Sequence, residues 1–281
     1  MSELIAMRQR IKAVGTIKKV THAMRLISMS SHSRLKTQKS SLQEFRKALS
    51  ELIQSILHVL PEWQQPILWP QQENGPTLNI IIGSQKGLCG NFNIHLFHFL
   101  EKEITQTNRQ ELQTIVIGKK AIDYIGNKFG TTVMQFEEFT QGKVLAIAQK
   151  IVHHIWHARI PYSSITIYYN FPKSFFAQIP TAYQLIPFQE HITNNIQLNE
   201  PFHWEQDPEV ILDQLSYFLL QSIVEDILFQ SLIAEQASRF IAMDSSTRNA
   251  SNLLEAMRLD YNKLRQAKIT SELTDLVASL Q

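Results

Sequence analysis

Three groups of residues in this 281-residue chain have the types and spacing that could do chemistry. The first is a glycine series in Gly83-Ser-Gln-Lys-Gly87-Leu-Cys-Gly90-Asn-Phe-Asn93. Glycines after a strand can let backbone N–H groups close on a phosphate. A dinucleotide fingerprint needs glycine spacings of 2 and 3, whereas these are 4 and 3. A phosphate loop closes on Gly-Lys-Ser/Thr, a tripeptide that the chain lacks. The spacing therefore predicts a structural turn at Gly87 and Gly90, with no cofactor and no direct nucleotide binding. The second group is His153, His154 and His157. His153 and His157 are i, i+4 on one helical face, a spacing metals can use. No glutamate stands where a zinc-protease motif would require one, so packed or surface histidines are expected and no metal site is assigned. The third is Cys89, the only cysteine. It excludes an intrachain disulfide, suits a reducing cytoplasm, has no His/Asp partner signature, and reads as a buried small residue. No catalytic residue is assigned.

The elements that must hold these residues follow from the breakers. All ten prolines lie between Pro61 and Pro208, and eight of nine glycines between Gly75 and Gly142. Breaker-poor ends around a breaker-rich centre predict two long helices flanking a compact domain, with boundaries at 1–60, 61–207 and 208–281. Near the start, Leu4, Met7, Ile11 and Val14, then Ile17, Val20, Met24 and Ile27, fall at helical spacing. Leu42, Phe45, Leu49, Leu52, Ile56 and Leu60 continue the stripe. Near the end, Ala250, Leu253, Met257, Tyr261 and Leu264 do the same, followed by Ile269, Leu273, Leu276 and Leu280. These are narrow seams of coiled-coil type. Helices of roughly 85 and 105 Å outrun a small domain of about 30 Å and need a partner. Pairing them as an antiparallel coiled coil is the simplest solution. Gly15 and the run Ser28 to Ser33 read as weak places in the first helix.

The middle alternates strand and helix: strands at Leu78 to Ile82, Leu112 to Ile117, Thr131 to Phe136, Ser164 to Tyr169 and Ala182 to Phe188, and helices at Asn93 to Ile104, Lys119 to Phe129 and Gly142 to Arg159. This predicts a three-layer, Rossmann-like α/β domain with a largely parallel sheet. The N-terminus has no signal-peptide apolar core. The greasiest stretch, Val210 to Ala234, is broken by Asp213, Glu225 and Asp226 and is not expected to span a membrane.

The net charge is only +2, but it is segregated. Residues 1–50 carry eleven Lys/Arg against two acids, and residues 209–281 six against ten. The two ends attract modestly, and the surplus on the first calls for an acidic partner. A nucleic acid is not favoured, because the stripe offers only Phe45 as an aromatic and no recognition motif.

The residues now bear a specific resemblance. Arg10-Ile-Lys-Ala-Val14 and Lys19-Val-Thr-His-Ala-Met24-Arg25 resemble the opening helix of the gamma subunits of F-type ATP synthases. Gly87-Leu-Cys-Gly90-Asn-Phe-Asn93 resembles that family's motif after the first strand. Glu235-Gln-Ala-Ser-Arg239-Phe-Ile-Ala-Met243-Asp244-Ser-Ser-Thr247-Arg248-Asn249-Ala250 and Tyr261-Asn262-Lys263-Leu-Arg265-Gln266-Ala267-Lys-Ile269-Thr270-Ser-Glu272-Leu273 follow the family pattern nearly residue by residue. The resemblance implies a non-catalytic central-stalk rotor. Its coil would enter a ring of three alpha and three beta subunits. Its α/β domain would meet the epsilon subunit and the membrane rotor ring, peripheral on the cytoplasmic face. It implies beta-subunit contacts at Met24, Arg25, Arg239, Gln266, Thr270 and Glu272, and rotor-ring contacts at Glu205 and Asp207. The chain departs from the pattern at Ser28 to Ser33, normally richer in alanine, at Gln206, often proline, and at Ser279 and Leu280, usually Gly-Ala. With Cys89 alone it lacks the cysteine pair of chloroplast relatives. The rival readings are a free-standing coiled-coil scaffold, which would form a homodimer, and a nucleotide-binding α/β enzyme, which nucleotide would stabilise.

Overall fold

A computed structural model describes residues 2–57, 60, 63–70, 75–104, 112–126, 128–188 and 206–278. In chain order these form α1 (Ser2–Leu57), β1 (Thr77–Ile82), α2 (Phe92–Ile104), β2 (Leu112–Ile117), α3 (Lys119–Ile125), β3 (Thr131–Phe136), a 3-10 turn (Gln141–Lys143), α4 (Val144–Trp156), β4 (Ser164–Pro172), β5 (Gln178–Ile186) and α5 (Pro208–Ala278). The chain divides into two units. One takes residues 1–30 and 239–281, and the other residues 31–238.

The larger unit is built on a five-stranded sheet of order β3-β2-β1-β4-β5. The first four strands are mutually parallel, and β5 runs antiparallel to β4. Alternation along each strand sorts the side chains between two cores. Leu78, Ile80, Ile82, Ile115, Ile117, Ile165 and Ile167 pack with α4 and with buried residues of α1 and α5. Ile81, Val116 and Tyr168 turn the other way, onto Leu96 and Leu100 of α2 and Ala121 and Ile125 of α3. The three expected layers are therefore present. The reversed strand has a local cause. Only residues 173–177 separate β4 from β5, with Ser174 and Ala177 exchanging backbone hydrogen bonds at 3.1 and 3.3 Å. A connection that short allows only an antiparallel return. Pro180, inside β5, is tolerated because the strand is an edge. Helix α3 stops at Ile125, short of the expected Phe129, where Gly126 turns to φ 46°. At Gly118 the backbone adopts φ +93°, and a Cβ there would lie 2.5 Å from the Gly83 carbonyl oxygen. The β2–α3 turn accordingly requires glycine.

The apolar stretch at the start of α5 is long and greasy enough to pass for a membrane span by composition. However, 72 % of that 18-residue window is buried inside the protein. It is a core helix, apolar around most of its circumference.

In the smaller unit, the ends of α1 and α5 pair antiparallel. Arg25 meets Asp244 and Thr21 meets Thr247, so rising numbers on one helix face falling numbers on the other. The seam follows the predicted apolar spacing at Leu4, Met7, Ile11 and Val14 and at Ala250, Met257, Tyr261 and Leu264, and departs from it elsewhere. On α1 a shielded line runs Leu4, Met7, Ile11, Val14, Lys18, Thr21, Arg25 and Ser28, an unbroken 3,4 repeat, with Gly15 and the predicted Met24 half-buried beside it. Ile17, Val20 and Ile27 lie off it, at 54, 54 and 58 % exposure. On α5 the shielded line runs Met243, Thr247, Ala250, Leu254, Met257, Tyr261, Leu264 and Lys268, while Leu253, Ile269 and Leu273 are exposed. The same shift affects Phe45 and Leu52 in the larger unit, both exposed, while Leu49, Ile53 and Ile56 are buried. The physical reason is that the middle of the seam is polar and small. Thr21 and Ser28 allow close approach where large knobs would hold the helices apart. Helix α1 passes through Gly15 and Ser28 to Ser33 without a break. The hydroxyls of Thr16, Thr21 and Thr37 bond back to carbonyls three or four residues earlier, an arrangement helices accommodate.

Candidate functional site

The paired helix ends carry most of the residues that the resemblance singles out. Arg25 donates to Asp244 Oδ1 at 2.6 Å and to His22 Nδ1 at 3.2 Å. Asp244 Oδ2 receives Nε of Arg248 at 2.9 Å. Hydrogen bonds from Arg248 and then Arg25 hold the Asp244 carboxyl below its ordinary range. One turn away, the Thr247 hydroxyl donates to the buried Thr21 hydroxyl at 2.9 Å. Met24 is half-buried beside this cluster. Arg239 is only 4 % exposed. Further along α5, Gln266, Thr270 and Glu272 are exposed. The Thr270 hydroxyl donates to the Gln266 carbonyl at 3.0 Å, and Glu272 pairs with Lys268 at 3.6 Å. Helical periodicity places this polar set on solvent rather than in the seam.

Asp207 caps the start of α5. Its carboxylate accepts the Glu209 N–H at 3.1 Å, with Pro208 in the first helical position. It is exposed. Glu205, Ser279 and Leu280 lie outside the described residues.

The strand-to-helix turn after β1 is knit from within. Ser84 N–H donates to Asn93 Oδ1 at 3.0 Å, Asn93 Nδ2 to Ser84 Oγ at 2.8 Å, and Ser84 Oγ to the Lys86 carbonyl at 2.9 Å. Cys89 is buried at 3 %, its Sγ 3.5 Å from Asn93 Nδ2, and its carbonyl accepts the Ser238 hydroxyl at 2.8 Å. The polar groups of Ser84 and Asn93 are thereby engaged with each other. Gly90 adopts φ 58°, and Leu88, two residues before it, φ 62°. At Gly87 a Cβ would meet nothing within 4 Å. The backbone constraint thus falls on Gly90.

His153 and His157 stack at 4.2 Å between ring centroids, and His154 contacts the Tyr162 hydroxyl at 2.9 Å. Burial and then the His153 charge lower the His154 pKa. Tyr162 donates onward to Gln113 at 2.7 Å. His153 and His157 are thus exposed and stacked on each other, and His154 makes one α4–β2 link through Tyr162. Among the described residues no group of three or more His, Cys, Asp or Glu could hold a metal ion.

One charged cluster has no counterpart in the sequence pattern. Asp226, 4 % exposed on α5, lies 3.6 Å from Arg46 and 3.9 Å from Lys39, both on α1, and accepts Gln230 Nε2 at 2.7 Å. Gln230 in turn accepts the Tyr169 hydroxyl at 3.2 Å. Burial, with Asp226 nearby, pushes the Tyr169 phenol upward. Part of the basic surplus on α1 is thus met inside the chain. The available signal is the acid at position 226 within an apolar run. Its partners lie about 180 residues away, beyond any local pattern.

Long helix ends paired antiparallel, with a sheet of this order, give the fold found in the central stalks of ATP synthases. The structure is similar to a chain of the Euglena gracilis mitochondrial ATP synthase OSCP/F1/c-ring assembly, with a TM-score of 0.57 over 92 % of this chain and 94 % of that one at 15 % identity. It is also similar to one of the Tetrahymena thermophila mitochondrial ATP synthase central stalk/c-ring, at 0.56 over 80 % and 98 % with 20 % identity. The family model described as ATP synthase matches residues 3–281. Curated relatives include the ATP synthase gamma chain of Rickettsia typhi (strain ATCC VR-144 / Wilmington), 27 % identical over 293 residues, covering 100 % of this chain and 99 % of the relative. That of Rickettsia akari (strain Hartford) is 28 % identical over 289 residues, covering 99 % and 98 %. The chain belongs to the ATP synthase gamma-chain family.

Proposed function

We propose that the chain is the central-stalk rotor of an F-type ATP synthase. It couples ion-driven rotation of the membrane ring to ATP synthesis or hydrolysis at a hexamer of three alpha and three beta subunits. It contributes no catalytic group and acts by biasing partners that have more than one stable state. The observation that carries this reading is the set of aliphatic side chains left off the seam. Ile17, Val20, Ile27, Leu253 and Ile269 stand about half or more exposed on the paired ends. A two-helix coil buries only its seam, so these outward aliphatic side chains are available to an enclosing sleeve of partner subunits. Family membership over the full chain displaces the scaffold and enzyme readings.

In this reading Met24, Arg25, Gln266, Thr270 and Glu272 touch the beta subunits. Arg239, being buried, acts by holding the coil in the shape that they read. Asp207 and Glu205 face the polar loops of the rotor ring, with the epsilon subunit beside the α/β unit. The assembly holds the chain peripherally on the cytoplasmic face.

The test is reconstitution with alpha and beta subunits from the same genome. One copy per three alpha and three beta subunits, with altered ATP hydrolysis, is expected. No association, with partners that form their own ring, would overturn the proposal.

A further inference from the structure

A basic groove of about 420 Å³ opens in the larger unit between α1 and the β4–β5 turn. His32, Lys36, Lys39 and Ser40 of α1 line it together with Lys173 and Ser174 of the turn. Ile233 and Ala237 of α5 add apolar lining. Among the described residues no acidic side chain lines it. Lys39 is shared with Asp226 at 3.9 Å, but that carboxylate is also engaged by Arg46 and Gln230. Among the described residues Lys36 and Lys173 make no ion pair, so the groove presents cationic charge without its complement. Ser174 Oγ accepts the Ala177 N–H at 3.1 Å, which leaves its own proton to donate into the groove. His32 is fixed by an edge contact with Phe175, ring centroids 5.0 Å apart. A concave site of this size suits a small ligand. Converging ammonium and hydroxyl donors suit a phosphate group.

We propose that this groove binds a phosphate-type anion, either free inorganic phosphate or the phosphate tail of a nucleotide. Lys36 and Lys173 supply positive charge, Ser40 and Ser174 supply hydroxyl donors, and Ile233 and Ala237 line it with apolar surface. The inference is independent of the rotor reading, since it stands on side chains of one unit alone. His32 is a built-in reporter. Burial and then the Lys36 charge lower its pKa, and an anion bound beside Lys36 offsets that charge and raises it.

The experiment follows the His32 ring by NMR in the purified full chain. Inorganic phosphate, tripolyphosphate and ATP are added in separate titrations, in buffer free of other oxyanions. A saturable His32 shift with an upward move of its titration midpoint is expected, weakening with added salt. Saturation by phosphate assigns a free-anion site; saturation by ATP and tripolyphosphate alone assigns a phosphate-tail site; both uphold the proposal. Lys36→Gln with Lys173→Gln, two exposed positions, is expected to weaken binding by about tenfold or more. The His154 resonances, unmoved, verify the fold. No saturable shift up to about 10 mM, or binding undiminished in the double variant, overturns the proposal. So does saturation by a glutamate-rich peptide where all three phosphate probes fail, since the groove would then take an acidic peptide instead.

Discussion

Arg25 and Asp244 are 219 residues apart in sequence and 2.6 Å apart in the structure. They face each other at the point where the two ends of the chain pair, and Asp244 receives Arg248 as well. The contact fixes the antiparallel register, because a slip by one residue on either helix would break it. A polar seam built from Thr21, Thr247 and Ser28 carries little register information of its own. The ion cluster supplies it.

Asp244→Asn is expected to lower the melting temperature of the helix pair at neutral pH. The arginines hold the folded carboxyl below its ordinary 3.8. The stabilisation is therefore fully present above pH 3.8 and is lost as pH falls through the depressed folded value. Melts of the natural chain and the variant, followed by circular dichroism, should differ near neutrality and converge as pH falls below 3.8 and through the depressed folded value. A gap that persists in acid would count against the ion cluster as its source.

Asp226→Ala should destabilise the larger unit by about 2–3 kcal/mol, since it leaves two cations facing a desolvated space. Lys39 and Arg46 retain side-chain exposures of 19 and 31 %, which keeps the penalty below that of a fully buried pair. The urea midpoint, read by tryptophan fluorescence, measures it. An unchanged midpoint would mean that water already serves the cations.

Two glycine substitutions should act in opposite directions. Gly15 is helical, and a Cβ added there would meet nothing within 4 Å, so Gly15→Ala should stabilise α1 by about 1 kcal/mol. Gly118→Ala forces a Cβ to within 2.5 Å of a carbonyl oxygen at φ +93°, and should cost about 2–4 kcal/mol. Thermal unfolding of the two variants against the natural chain decides both.

The residues proposed to act on the beta subunits separate into two kinds. Gln266→Ala combined with Glu272→Ala changes exposed positions. It should leave the chain's own melt unchanged while weakening assembly by about tenfold, equivalent to ~1.4 kcal/mol. Arg239→Ala alters a side chain only 4 % exposed and should lower both stability and assembly. Binding measurements on reconstituted complexes, paired with melts of the free chain, distinguish them. A destabilised Gln266/Glu272 variant would contradict the division.

The α/β unit is legible almost whole in the chain, because strand alternation and glycine punctuation are local signals. Leu112–Ile117 and Thr131–Phe136 fall where the residues place them. The start of β5 is hidden because Pro180 argues against a strand except at an edge, and edge status depends on neighbours. The long helices are readable as helices, but their seam only in part: Leu4, Met7, Ile11, Val14, Ala250, Met257, Tyr261 and Leu264 fall on it as their spacing predicts. Apolar spacing favours Ile17, Val20 and Ile27, while the structure turns Thr21 and Ser28 inward. That inversion arises because apolar residues are normally hidden, whereas this coil keeps a good part of its aliphatic surface outside. In the proposed site, the exposure of Gln266 and Glu272 follows from helical period. The burial of Arg239 and the ion partners of Arg25 and Asp226 are tertiary facts with no local trace.

The aliphatic side chains standing off the seam bear on how a cell can make this chain. Until partners cover Ile17, Val20, Ile27 and Leu253, each new copy offers sticky surface to other copies and to chaperones. Surplus copies would therefore meet proteolysis or aggregation. If the proposed ring encloses the coil, balanced supply with its subunits becomes a physical requirement of biogenesis, written into the outward face of two helices.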